Sequence, residues 1–350
     1  MNSNKKVYSL RFNQDQSLFA CASDNGIQIF NIEPLSEVEH ITDHPDLPPI
    51  GKVEMLHRSN FLALIPDGSG NCADNVVLGY DLNKHSVCMD SAFIGKVLSV
   101  RLRRDKMVVV RSRQISVFSF PGIPKVLHVR DTRPNPKGLC ELSPLATSQR
   151  IILAYPGQKI GSAMIEDLSS SPPHSITINA HQNELECIAL NQSGTMLATA
   201  SQKGTLIRVF DTARSSAQLY EFRRGNDPAT MYCINFSPDD RYLCCSSDKG
   251  TVHIFAILNT SLNRRSIKPF DFASFASFAT DVRALASFKV KAECACMCAF
   301  GPQTERGQIV YAVCVDGTFH KYIFSETTRA SLEAFDCFFD VCPHDKQELC

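Results

Sequence analysis

Cys187 to Thr212 reads CIALNQSGTMLATASQKGTLIRVFDT, and Cys233 to Ile257 reads CINFSPDDRYLCCSSDKGTVHIFAI. The two stretches follow one grammar: an apolar run, a polar turn, a second apolar run, a Gly-containing turn and a third run that ends in Phe. They begin 46 residues apart, close to the period of roughly 40 to 45 that marks one four-stranded blade of a repeat protein. Working outward, VYSLRFNQDQSLFACASDNGIQIFNI near the N-terminus repeats the pattern, and CACMCAF, IVYAVCVDG and TFHKYIF repeat it near the C-terminus. Between them lie GKVEMLHRS, FLALIPD and VVLGYDL, then VLSVRLRRD, KMVVVRS, ISVFSF and VLHVRD, then GLCELSP, RIILAYPG and SAMIEDL. That makes seven groups.

Tight turns recur at Asp24-Asn25-Gly26 and Asp248-Lys249-Gly250, where Gly supplies the positive φ that a two-residue hairpin needs. Strands repeated without intervening helices predict an all-β chain, a seven-bladed β-propeller of degenerate WD-type repeats, with residues 1–350 as one domain. Trp is absent, and Phe210-Asp211 stands where an ordinary repeat ends in Trp-Asp. The tail Ala334 to Val341 alternates well enough to supply a last outer strand, with an edge helix as the alternative.

Composition narrows the function. Lys+Arg 36 balances Asp+Glu 36, so the broad positive field that draws a protein onto nucleic acid is missing and no nucleic-acid partner is expected. No run approaches the ~20 apolar residues that span a bilayer, and MNSNKKVYSLRF lacks the apolar core of a secretory signal. The expectation is a soluble, cytosolic monomer. The 15 cysteines are odd in number and scattered through apolar runs, as free thiols in a reducing compartment are. Cys294, Cys296 and Cys298 alternate, which on a strand points all three to one face of the core. No second Cys or His pair with ligand spacing accompanies them, so no metal and no cofactor are expected. A Gly-rich phosphate loop, a GxSxG elbow and an HExxH motif are all missing, which argues against an enzyme.

The chemistry-bearing stretch is QLYEFRRG, ending in Arg223 and Arg224. Adjacent strand residues face opposite ways, so Arg223 is expected toward its own blade and Arg224 toward the next. Arginine grips phosphate in a planar, bidentate manner. Matching polar sets flank the pair: Ser201, Lys203, Thr205 and Arg208 with His181 on one side, and Ser246, Ser247, Lys249, Thr251 and His253 on the other. Any one of these alone reads as part of a blade's internal hydrogen-bond network; the doubling around Arg-Arg lifts the set above that reading.

The run LYEFRRGNDPATMYCINFS, with ATASQKGTLIRVFDT, SSDKGTVHIFA, SLRFNQDQSLFAC, VEMLHRSNFLAL and RPNPKGLC, resembles the PROPPIN (WIPI) family, and the short animal branch of it in particular. The resemblance implies a propeller that binds phosphatidylinositol 3-phosphate and phosphatidylinositol 3,5-bisphosphate on membranes of the forming autophagosome. It implies a first site at His181, Ser201, Thr205, Arg208 and Arg223, and a second at Arg224, Ser246, Ser247, Thr251 and His253. The connection 258–284 is too long for a propeller hairpin and sets Arg264, Arg265 and Lys268 ahead of Phe270, Phe272, Phe275 and Phe278. Cations beside aromatics suit a headgroup layer, and in the resembled family the matching loop inserts into membranes. The turn Asn13-Gln14-Asp15-Gln16 reads as a solvated turn, to which the resemblance adds Asn13 and Asp15 as contacts for an ATG-two-type lipid-transfer protein. The competing expectation is a WD scaffold that binds proteins and no lipid.

Overall fold

The apolar runs of the repeats form strands that are covered on both sides. Leu18–Ser23 and Tyr242–Ser247 are buried at every residue, which is why they lack the alternation of a half-exposed strand. The computed structural model describes residues 5–69, 73–214, 218–267, 280–327 and 329–341. Seven sheets, each with a core of four antiparallel strands, make the seven blades of a β-propeller. The innermost strands are Val7–Phe12, Ile50–Met55, Val97–Arg103, Glu141–Leu142, Leu185–Leu190, Met231–Phe236 and Cys296–Thr304. They pack in that order around the axis, the last against the first.

Seven apolar clusters hold the ring, one at each junction between consecutive blades. At the closing junction no strand is exchanged among the described residues: the sheets of blades one and seven each contain only their own four strands. Side chains close the ring instead. Phe338 is fully buried, with its ring centroid 5.3 Å from those of both Phe19 and Phe30. This corrects the reading of the tail. The outer strand is Ser331–Cys337, and the chain then turns through the short 3-10 helix Phe338–Asp340, because Phe338 gains more by entering the junction than by extending an exposed edge.

The hairpin glycines behave as their turns require. Gly26 has φ +89, and a Cβ there would lie 2.2 Å from the Ile41 carbonyl oxygen.

The turn Asn13-Gln14-Asp15-Gln16 sits at the axis. The Gln16 side-chain amide donates to Phe236 O (2.7 Å) and its oxygen accepts from Phe300 N (2.7 Å). Gln14 donates to Met55 O (2.6 Å), while its main-chain oxygen accepts from Gln192 (2.6 Å). One turn of blade one therefore ties blades two, five, six and seven together. Below it a cavity of about 490 Å³ runs along the axis. Its arginines are matched by carboxylates: Arg11 lies 2.5 Å from Glu54 and Arg101 lies 3.1 Å from Glu141. Among the described residues, the channel thus offers no unmatched arginine to an anionic ligand.

Blade five departs from the regular plan. Its outer strand Gln218–Arg223 carries two further strands, Thr280–Arg283 in parallel contact (Arg223 opposite Arg283) and Arg264–Ile267 beyond it. Both come from the long connection of blade six, whose own outer strand is Ala286–Lys289. An outer strand leaves a row of unpaired N–H and C=O groups, and the hairpin uses them.

Candidate phosphoinositide site

Phe222 fixes the arginine pair. It is buried at the junction of blades five and six and stacks on Phe255 with ring centroids 4.9 Å apart. With Phe222 turned inward, Glu221 and Arg223 share the opposite face of the strand. Arg208 is directly across from Glu221, and Thr199 is directly across from Arg208. His181 bonds the Thr199 hydroxyl (3.0 Å). His181, Thr199, Arg208, Glu221 and Arg223 thus line one face of blade five. Thr199 and Glu221 were not among the candidates from sequence. Glu221 is legible there as the residue alternating with Arg223, but it is acidic and does not suggest an anion site.

Each arginine of this face is already paired. Arg208 Nε lies 2.8 Å from Glu221, and its Nη1 donates to Ala180 O (2.6 Å). Arg223 Nε lies 2.8 Å from Asp281 of the docked hairpin, and Arg283 Nη2 approaches the same carboxylate oxygen at 4.0 Å. A phosphate that takes the Arg223 Nε edge must displace Asp281. Sequence reasoning missed Asp281 and Arg283 because they lie some 60 residues from the motif and reach it only through the parallel pairing of the hairpin.

Arg224 differs from its expected role. Only 7% exposed, it donates through Nε to Gly204 O (2.8 Å) and through Nη2 to Asp227 O (2.5 Å). It does turn toward blade six, as alternation requires, since its charge acts on His253 and the Asp248 carboxylate acts on it. It is nevertheless a half-structural group that braces the loop after the strand, not a free cation on the rim.

The hydroxyls are also more enclosed than expected. Ser201, Thr205, Ser246 and Ser247 are buried and Thr251 is half-buried. Ser246 spends its hydroxyl across the junction on Cys296 O, so it serves packing between blades six and seven. Lys203 and Lys249 are exposed at the two turns. Both histidines are neutral: burial first and then Arg208 hold His181 down to about 4, while burial first and then Arg224 and Arg283 hold His253 down to about 4. In water each charged ring would titrate near 6.5; here desolvation in a cationic neighbourhood disfavours the imidazolium.

The connection 258–284 is not one loop. Arg264 and Arg265 are exposed on a strand, and the hairpin they belong to is docked beside Arg223. Lys268, Phe270, Phe272, Phe275 and Phe278 lie outside the described residues. Of the two partner candidates, Asn13 is 4% exposed and spends its amide on Ser17, Leu18 and His57 O. Burial removes it as a contact surface, whereas Asp15 is exposed.

The family model described as PROPPIN matches residues 6–286. The chain belongs to the PROPPIN family. Membership brings the family's general role, phosphoinositide binding in autophagy without catalysis. Autophagy-related protein 18 of Dictyostelium discoideum is 36% identical to this PROPPIN over 264 residues, covering 75% of this chain and 68% of that protein. Autophagy-related protein 18e of Arabidopsis thaliana is 32% identical over 333 residues, covering 92% and 84%. Among solved structures, Kluyveromyces lactis Hsv2 superposes with a TM-score of 0.76 at 23% identity, covering 95% of this chain and 99% of that one. The complex of KlAtg21 with the coiled coil of AgAtg16 gives the same TM-score at 23% identity and the same coverage. At that identity the structural neighbours speak for the fold alone. Among the described residues of this PROPPIN, no helix is long and apolar enough to cross a membrane.

Proposed function

We propose that this PROPPIN is a peripheral membrane effector that reads phosphatidylinositol 3-phosphate and phosphatidylinositol 3,5-bisphosphate at two sites flanking Arg223 and Arg224, and is thereby recruited to forming autophagic membranes. The observation that carries this reading is the doubled arrangement around Phe222. On one side His181, Thr199, Arg208 and Arg223 share a face; on the other Arg224, His253, Thr251 and Arg283 gather at the edge of blade six. Each cluster offers several donors to phosphate oxygens and at least one guanidinium, open to phosphate once its present protein partner gives way. The hairpin from blade six places Arg264 and Arg265 beside the first cluster. Cations there would add roughly 1 kcal/mol each against an anionic leaflet, and Phe270, Phe272, Phe275 and Phe278 are proposed to enter the lipid.

A second role, as a scaffold, is favoured by the exposed Asp15. It lies in the turn between the first two strands of blade one, at the opposite strand ends from the arginine pair. It borders a cavity of about 400 Å³ that Arg58 and Asp239 also line. An ATG-two-type lipid-transfer protein is the proposed partner for this face, which stays accessible while the arginine end engages membrane. A coiled-coil ligand of the kind named in the KlAtg21 complex is the alternative occupant.

Flotation with liposomes that differ only in inositol phosphorylation tests the lipid reading. The chain should float with the 3-phosphate and 3,5-bisphosphate liposomes and not with unphosphorylated phosphatidylinositol. Equal flotation with all three would leave only the scaffold role.

A further inference from the structure

The two faces that flank Phe222 differ at one matched position. In blade five Arg208 lies directly across from Glu221, and Leu206 directly across from Arg223. In blade six His253 lies directly across from Ser287, and Thr251 directly across from Lys289. Residues opposite one another on an antiparallel pair share a face. The blade-six equivalent of Arg223 is therefore Lys289, and that of Glu221 is Ser287. Ser287 and Lys289 are both exposed, and neither was among the candidates from sequence. The blade-five face thus carries a carboxylate beside both of its arginines at the place where the blade-six face carries a hydroxyl.

Glu221 has no freedom to leave as Asp281 has. Asp281 arrives on the docked hairpin, whereas Glu221 is on the same strand as Arg223, two residues before it, or roughly 7 Å along the backbone. Its side chain is 41% exposed and reaches Arg208 Nε at 2.8 Å, and its charge acts on His181. It therefore looks into the space that a headgroup held by Arg208 and Arg223 would fill. An ionised carboxylate only accepts hydrogen bonds, so it receives free ring hydroxyls and repels phosphate oxygens. On blade six the acid of the same end is Asp248, which sits in the turn before Thr251 and is matched there by Lys249 at 3.6 Å.

We propose that Glu221 is the specificity-determining residue of the blade-five face: given the phosphoinositide role proposed above, it admits a headgroup with one phosphate among free hydroxyls and disfavours one with two, while Ser287 leaves the blade-six face open to both. A phosphomonoester carries about −1.5 to −2 charges at neutral pH. A bisphosphate carries about double, so the repulsion from one fixed carboxylate doubles with it. The two faces then divide the work, the first reading a single phosphate and the second tolerating the higher charge.

Calorimetry on the full chain with soluble, short-chain phosphatidylinositol 3-phosphate and phosphatidylinositol 3,5-bisphosphate tests this division. With the blade-six face disabled by Thr251→Ala and His253→Ala, Glu221→Gln should raise the affinity for the monophosphate about threefold and for the bisphosphate about ninefold. The preference then moves about threefold toward the bisphosphate, and the shift should shrink with salt. With the blade-five face disabled by Arg223→Thr, Ser287→Glu should move the preference about threefold the other way. Glu221 and Ser287 are both exposed on outer strands, so both variants should fold. A bisphosphate-to-monophosphate ratio that moves by less than about 1.5-fold in either variant would overturn the proposal, and at Glu221 it would mean that the carboxylate only braces Arg208. Wild-type protein that binds neither headgroup would instead overturn the phosphoinositide reading itself, and this division with it.

Discussion

Asp281→Asn is the sharpest perturbation that the geometry offers. In the structure Asp281 occupies Arg223 at 2.8 Å, with the two side chains 20% and 13% exposed, so the pair is shielded enough to matter. At an effective dielectric near 20, opposite charges 4 Å apart attract by ~4 kcal/mol. Most of that is repaid when each group is rehydrated, and a close ion pair shielded to this degree keeps ~1.5 to 3 kcal/mol, between an exposed pair and a buried one. A phosphate entering the first site must break this contact, while Arg283 still holds the displaced carboxylate. The residual penalty is therefore about half, ~0.75 to 1.5 kcal/mol, or roughly a three- to tenfold loss of affinity. The Asn variant keeps shape and an acceptor but removes the charge. A soluble short-chain phosphatidylinositol 3-phosphate should bind it three- to tenfold tighter by calorimetry, and the gain should shrink with salt. In an Arg223→Thr background the same change should give no gain, since the double-mutant cycle then has nothing to couple. Unchanged or weaker binding by Asp281→Asn would refute the competition, and weaker binding would mean that Asp281 positions Arg223 for the ligand.

The two arginines should separate in stability. Arg224→Thr should cost ~1 to 3 kcal/mol in denaturant unfolding, because it orphans the Gly204 and Asp227 carbonyls. Arg223→Thr should cost ~0.75 to 1.5 kcal/mol, since Arg283 still holds part of the Asp281 carboxylate; both should weaken liposome binding, and the double variant should lose it. The histidines set a pH signature. His181 and His253 are depressed to about 4 and in the unfolded chain titrate near 6.5, so the unfolded state binds more protons. Stability is full above about 6.5 and falls as pH drops toward 4, by at most ~1.4 kcal/mol per unit for each ring; His253→Gln should flatten the curve measured by urea unfolding. The same variant should leave the pH profile of headgroup affinity unchanged between 6 and 8, where the ring is already neutral. Changing Phe270, Phe272, Phe275 and Phe278 to Ser should sharply reduce liposome flotation, since buried apolar area contributes roughly 25 cal/mol per Å². It should leave calorimetric binding of the soluble headgroup intact, because that ligand presents no bilayer; equal loss of both would place the aromatics in the propeller.

The repeats, the seven blades, the arginine motif and its two flanking polar sets could all be read from the chain alone. Those features are written in local alternation and turn chemistry. Runs such as YLCCSS and the Gly of each tight turn act within a few residues, so short windows suffice to place them. What the tertiary structure decided are contacts that join distant segments. Asp281 reaches Arg223 only because the hairpin from blade six pairs with blade five's open edge. Arg224 and Arg223 look equivalent in sequence, yet one is braced on carbonyls and the other faces a carboxylate, since a strand's two sides meet different neighbours. Gln14, Gln16 and Asn13 read as a solvated turn, but seven-fold closure carries that turn to the axis, where backbone groups of four other blades need partners. Cys294, Cys296 and Cys298 read as alternating core thiols, and all three lie in the apolar cluster between blades six and seven. Spacing along a strand sets which face a side chain takes, and only closure of the ring determines what that face meets.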